Sequence, residues 1–190
     1  HSFPTGVQTC ALPIRAPAPR ISPGSEVVSI DDAPRAGKRT ARAVVIVYSE
    51  FVCASCVQFA KVAMPWLRRD YIETGRIELV FKSYPLVQQQ AFSLVTSEAA
   101  LCAHRQGMFW SLHDRLTERG GEHSAETLAS DVAAVGLAKP EFDSCMSGAA
   151  RGAVEADMKS GRDLRVVTSP TVFLGVRQAN GRVKISGRLV

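Results

Sequence analysis

The chain has 190 residues, 46% hydrophobic and 22% charged, a globular balance that can bury one sizeable core. It contains no uncharged apolar run of the roughly 18 residues that a membrane helix needs. Much of its net charge of +5 sits at the front, where Arg15, Arg20, Arg35, Lys38, Arg39 and Arg42 face only Glu26, Asp31 and Asp32; no basic stripe interleaved with aromatics follows, which speaks against nucleic acid as a partner.

The opening "HSFPTGVQTCALPI" lacks the basic start, apolar stretch and small-residue cleavage site of a secretory leader. It resembles translated sequencing-adapter read-through, so residues 1–14, Cys10 included, are expected to be non-native. With the true start lost, the missing leader says nothing of location. Residues 15–25, "RAPAPRISPGS", read as a Pro-rich extended linker.

"EVVSI" (26–30) is a short strand candidate, followed by the turn-rich "DDAPRAGKR". "RAVVIVYSE" (42–50) is a β-branched run of the kind buried on both faces of a central strand. From Ala54 to about Thr74, Cys56, Phe59, Ala60, Ala63 and Leu67 recur at helical spacing, and Pro65 should kink that helix by removing a backbone donor. "RIELVFKSY" (76–84) gives a second core strand. Strand, helix and strand in this order favour a parallel pair with a right-handed crossover. Residues 88–165 then lose all strand signal and show helical periodicity at Ala91, Leu94, Val95, Leu101 and Cys102, and again at Phe109, Leu112 and Leu116. Ser124 suits an N-cap, Gly136 a helix stop and Pro140 a first helical position. "TVFLGV" (171–176) and "GRVKISG" (181–187) return to strands, joined by a turn at Asn180-Gly181. The organisation expected is an α/β domain, residues 26–87 and 166–190, interrupted by an all-helical insertion, 88–165.

Chemistry points to Cys53-Ala54-Ser55-Cys56. A zinc site needs four ligands, usually from a second short-spaced pair, whereas Cys102 and Cys145 stand alone. Covalent haem attachment needs His at position 57, which is Val. A purely structural staple stays open, although closing so short a loop removes little chain entropy. A redox pair explains the position as well. Cys53 falls where a buried strand gives way to a helix, so its sulfur faces the unsatisfied N–H groups that favour a thiolate. Cys56 lies one turn deeper, so Cys53 should attack and Cys56 resolve. A helix terminus gives about 0.3–1 kcal/mol, while lowering a thiol pKa from about 8.5 to about 3.5 takes roughly 7 kcal/mol. Neighbours must supply the difference, and Ala54 and Ser55 offer one hydroxyl. His104, His113 and His123 read as packed or solvated residues, and Trp66, Phe109 and Trp110 as packing anchors.

The succession "EFVCASCVQF", "YPL", "EAALCA", "GMFWSLHDRL", "FDSC" and "TSPTVFLG" resembles the DsbA-like thiol-disulfide oxidoreductases, which carry a helical insertion in a thioredoxin-like fold. The resemblance covers residues 26–187. It implies catalytic Cys53 and Cys56, a cis-proline loop at Ser169-Pro170 whose backbone pairs with substrate, and a tentative structural disulfide between Cys102 and Cys145. It further implies unfolded, thiol-containing protein substrates, a membrane quinone-linked redox partner, a monomer, a periplasmic or other extracytoplasmic location, and no metal or organic cofactor. The family's closing C-terminal helix is missing from the sequence, so the fold is expected to be truncated there. Two departures matter. Ala54 replaces the usual proline. Val47 replaces an acid that relays a proton from the resolving thiol. Glu50, at an acidic position common in the family, reads either as solvated or as active-site support, where its charge would oppose the helix dipole. A reductase or isomerase running the same exchange backwards, and a non-catalytic thioredoxin-like binding module, remain the alternatives.

Overall fold

The structure, a computed structural model, describes residues 26–86 and 92–189. The expectations for residues 1–25 and for Ala91 lie outside that range. Six strands form one sheet: β1 (Val27–Val28), β2 (Arg35–Gly37), β3 (Ala43–Ser49), β4 (Ile77–Ser83), β5 (Thr171–Arg177) and β6 (Val183–Arg188), in the order β1-β6-β5-β3-β4-β2. β3 and β4 pair in parallel, Val47 opposite Phe81, and the other pairings are antiparallel. The β-branched run of β3 takes the centre because both its faces bury apolar side chains. Val44, Ile46 and Tyr48 pack with Leu164, Val166 and Phe173, while Val45 and Val47 pack with Met64, Ile72 and Leu79.

The helical run after β3 opens as α1 (Ala54–Gln58), widens through a π-helical turn (Phe59–Ala63), resumes as α2 (Met64–Leu67) and widens again (Arg68–Ile72). Pro65 therefore does not break it. The turn before the proline adopts the i to i+5 pattern, with Met64 N–H donating to the Phe59 carbonyl, so the missing donor is absorbed by a wider turn.

Between β4 and β5 lie α3 (Ser93–Arg105), α4 (Phe109–Glu118), α5 (Ala125–Ala134), α6 (Lys139–Ser144) and, beyond a π-helical turn at Cys145–Ala149, α7 (Ala150–Asp163). Phe109, Leu112 and Leu116 join Phe51, Phe81, Leu128 and Phe142 in a second core. Ser124 caps α5 in a reciprocal box with Thr127, Gly136 follows its end at φ 75°, and Pro140 sits in the first turn of α6.

Four local expectations fail. The turn-rich segment contains β2, an edge strand against β4. α3 buries Ser93, Thr96, Ser97, Ala99, Ala100 and Ala103, leaving Val95 exposed, because Thr96 and Ser97 satisfy their hydroxyls on the carbonyls of Phe92 and Ser93, one turn back. Trp66 is 48% exposed and touches Tyr71 edge-on, so it anchors no core. β5 and β6 are linked through residues 178–182, a longer turn than the Asn180-Gly181 pair alone.

Candidate active site

The site lies where β3 ends. Ser49 accepts the Tyr84 N–H at 2.8 Å across the β3–β4 pair, Tyr84 Oη donates to Val166 O at 2.8 Å, and Ser169 Oγ donates to Tyr84 O at 3.0 Å. These bonds fix the loop ahead of β5 against the strand ends. From the opposite side, the loop after α4 closes on the same segment. His123 Nε2 lies 3.1 Å from Phe51 O, and Gly121, at φ 95°, passes so near that a Cβ there would meet Val52 O at 2.6 Å.

Cys53 is the N-cap of α1, with extended backbone (φ −71°, ψ 133°), and its Sγ accepts the Cys56 N–H at 3.1 Å. The two sulfurs are joined, S–S 2.07 Å with Cα atoms 5.3 Å apart. Cys53 is 5% and Cys56 1% exposed, so Cys53 is the less buried residue of the pair, while Ala54 and Ser55 face solvent. Ser55 Oγ donates to Ser169 O at 2.9 Å and lies 3.4 Å from Cys53 Sγ, which is itself 3.5 Å from Ser169 O. The Ser169–Pro170 peptide is cis. Beside it, Val167 is 82% exposed.

Glu50 is 3% exposed, which removes the solvated reading. Its carboxylate accepts the Val52 N–H at 2.9 Å, the Cys53 N–H, and the Ser93 hydroxyl at 2.8 Å. One carboxylate oxygen and both sulfurs lie within 4.8 Å of one another, the single such three-donor grouping among the described residues. The sulfurs are bonded to each other and both carboxylate oxygens already accept hydrogen bonds, so in this state the set has no open valence for a cation. Val47 stands in the wall behind Cys56 and brings no polar atom.

A second disulfide, Cys102–Cys145 (S–S 2.02 Å), ties α3 to the turn before α7, away from the first. The residues that sequence reasoning passed over are Tyr84, Ser93, His113 and His123. "YPL" flagged the neighbourhood of Tyr84 and "GMFWSLHDRL" that of His113; Ser93 and His123 carry no local signal.

A family model described as thioredoxin matches residues 30–187. The Na(+)/H(+) antiporter NhaA 1 of Salinispora arenicola is 32% identical over 151 residues, 78% of this chain, but the chain spans only 22% of that protein. The probable disulfide bond formation protein D of Bacillus cereus is 21% identical over 83% of this chain and 76% of its own length. Among solved structures, BdbD from Bacillus subtilis superposes with a TM-score of 0.70 at 19% identity, covering 84% of this chain and 87% of its own. Wolbachia pipientis α-DsbA1 reaches 0.68 at 16% identity, over 84% and 85%. At such identities the structures speak for the fold.

Proposed function

The chain belongs to the thioredoxin family, and on that premise we propose that it acts as a DsbA-like member, oxidising protein dithiols through the Cys53–Cys56 disulfide. A substrate thiolate attacks Cys53 Sγ, forming a mixed disulfide and expelling Cys56 as a thiolate. A second substrate thiolate attacks the substrate sulfur of that bond. The substrate leaves as a disulfide, Cys53 leaves as a thiolate, and two electrons remain on the protein. The observation that carries this reading is the placement of Cys53 at the N-cap of α1 as the less buried residue of a bonded pair. Backbone N–H groups there stabilise the departing thiolate.

Ser169, Pro170 and the exposed Val167 form the rim that would hold an extended peptide, which suits unfolded, thiol-containing proteins of little sequence preference. Ser55 and Glu50 support the pair, and Ala54 faces solvent beside it. The chemistry needs no metal or organic cofactor. Reoxidation falls to a membrane redox partner, with the protein acting as a monomer in an extracytoplasmic, disulfide-permissive compartment. The likeness to part of two antiporters favours a site of action at a membrane surface; recovery solely from the soluble fraction of the source cells would count against that location. The exchange itself is tested with a reduced, unfolded protein substrate bearing four cysteines. The wild type should restore its disulfides, Cys53→Ser should not, and Cys56→Ser should accumulate the mixed disulfide. Equal rates for Cys53→Ser and wild type would overturn the reading.

A further inference from the structure

Behind the disulfide lies an enclosed pocket walled by Val47, Ser49, Glu50, Cys56, His113 and Thr117 and otherwise by apolar side chains. It leaves about 10 Å³ for the centre of a water molecule, close to what one buried water needs. His113 is 5% exposed and packs against the rings of Phe51 and Phe81 at 5.6 and 5.7 Å. Its Nδ1 is 2.9 Å from Asp114 Oδ1, so Nε2 is the nitrogen available for proton exchange. His113 and Thr117 also line a second cleft, of about 330 Å³, on the outer side. That cleft reaches solvent at Asp114, whose side chain is 49% exposed. His113 thus stands between the buried sulfur and bulk water.

The exchange proposed above leaves one proton to place. Cys56 is expelled as a thiolate, 1% exposed and with a carboxylate nearby, and such a charge is costly unless it is protonated. Val47 cannot provide the proton, and the Glu50 carboxylate is held by three donors. Building on that reading, we propose that His113 relays the proton: protonated imidazole passes it through a water in the pocket to Cys56 Sγ as the thiolate departs. The imidazole then takes a proton from solvent in the outer cleft. In the reverse direction it accepts the proton when Cys56 attacks, so protons balance and no electron moves through it. His113 acts through the water and is a positioning residue for this transfer.

The charges facing it are Glu50 from the strand end, Asp114 on its own helix, Arg68, which lies 3.5 Å from Asp114 Oδ2, and Lys61, Arg69, Glu73 and Glu118 around the outer cleft. Burial pushes the Asp114 carboxyl up, but the hydrogen bonds and charges of His113 and Arg68 outweigh that and hold it below the usual 3.8. Asp114 is therefore negative at neutral pH, where it holds the Nδ1 edge of the ring.

The test follows attack of Cys56 on a Cys53–glutathione mixed disulfide, read as glutathione release from pH 5 to 9 in wild type, His113→Phe and Asp114→Asn. A wild type unable to form or resolve the mixed disulfide would overturn the proposed exchange and the relay together. With exchange present, His113→Phe should be about 10–100-fold slower at pH 7, and its rate should keep climbing toward pH 9, following Cys56 thiolate formation alone. Asp114→Asn removes the carboxylate that holds Nδ1, so release at pH 7 should slow about 3–10-fold. A His113→Phe rate within twofold of wild type, with an unchanged profile, would overturn the relay. Should that variant not fold, Asp114→Asn decides: slowed release at pH 7 supports the relay and an unchanged rate overturns it.

Discussion

Replacing both Cys102 and Cys145 with Ala should separate the two disulfides by what each does. The bond closes a separation of 43 residues, for which the chain-entropy relation gives about 4 kcal/mol at 25 °C. The same relation gives only about 1.6 kcal/mol for the separation of 3 between Cys53 and Cys56, so that bond contributes less to stability. For a chain of this size each kcal/mol moves Tm by about 2–4 °C, and the double variant should melt about 8–16 °C lower. The assay is thermal unfolding with the Cys53–Cys56 bond kept oxidised, alongside thiol exchange at 25 °C. Exchange should stay within twofold of wild type, because the variant touches α3 and the turn before α7 and not the N-terminus of α1. A fall of less than about 2 °C, equivalent to less than about 1 kcal/mol, would refute the entropy reasoning.

Asp131, 1% exposed, accepts from Arg119 and, at 3.0 Å, from Arg115. Burial raises its carboxyl, but those hydrogen bonds win and hold it below 3.8, so its stabilisation is present above about pH 4 and is lost as pH falls through the lowered value. Asp131→Asn should cost about 1–3 kcal/mol in urea unfolding at pH 7, with a smaller gap at pH 3; a gap that does not change with pH would contradict this. Ser55→Ala removes a hydroxyl that can turn from Ser169 O to a Cys53 thiolate, so the reduction potential should fall by about 10–30 mV. An unchanged or raised potential would count against that role. Glu50→Gln should act in the opposite sense, because a unit charge within 4.8 Å of the sulfurs at an effective dielectric of about 20 is worth about 3.5 kcal/mol at that distance. A rise of about 75 mV is expected, and a fall would show that the carboxylate serves the reduced form.

The parts of the fold legible in the sequence were those with a strong local pattern. A seven-residue strand built on the β-branched run Val44–Val47 can be buried on both faces only at a sheet centre, and β3 sits there. Ser124 and Gly136 mark helix ends because capping is chemistry within a few residues. β2 escaped because three residues at a sheet edge, ending on Gly37, carry no periodicity and owe their conformation to β4. The buried face of α3 escaped because Thr96 and Ser97 satisfy their own hydroxyls and so read as polar when they behave as small packing residues. At the site, the cysteine spacing and the strand-to-helix junction were readable. The partners of Glu50 were only half so: two of its donors lie two and three residues away, but Ser93 is 43 residues on. His113 looked like an ordinary packed residue, and its place between two pockets exists only once α4 lies against the helical run after Cys56.

The most direct test of an oxidising Cys53–Cys56 pair is its reduction potential, measured by equilibration in glutathione buffers with thiol mass labelling, Cys10 replaced by Ser. An oxidising pair should show a value above about −200 mV, on the oxidising side of the range spanned by such proteins. A value below about −230 mV would contradict it and assign the same two sulfurs to a reductase.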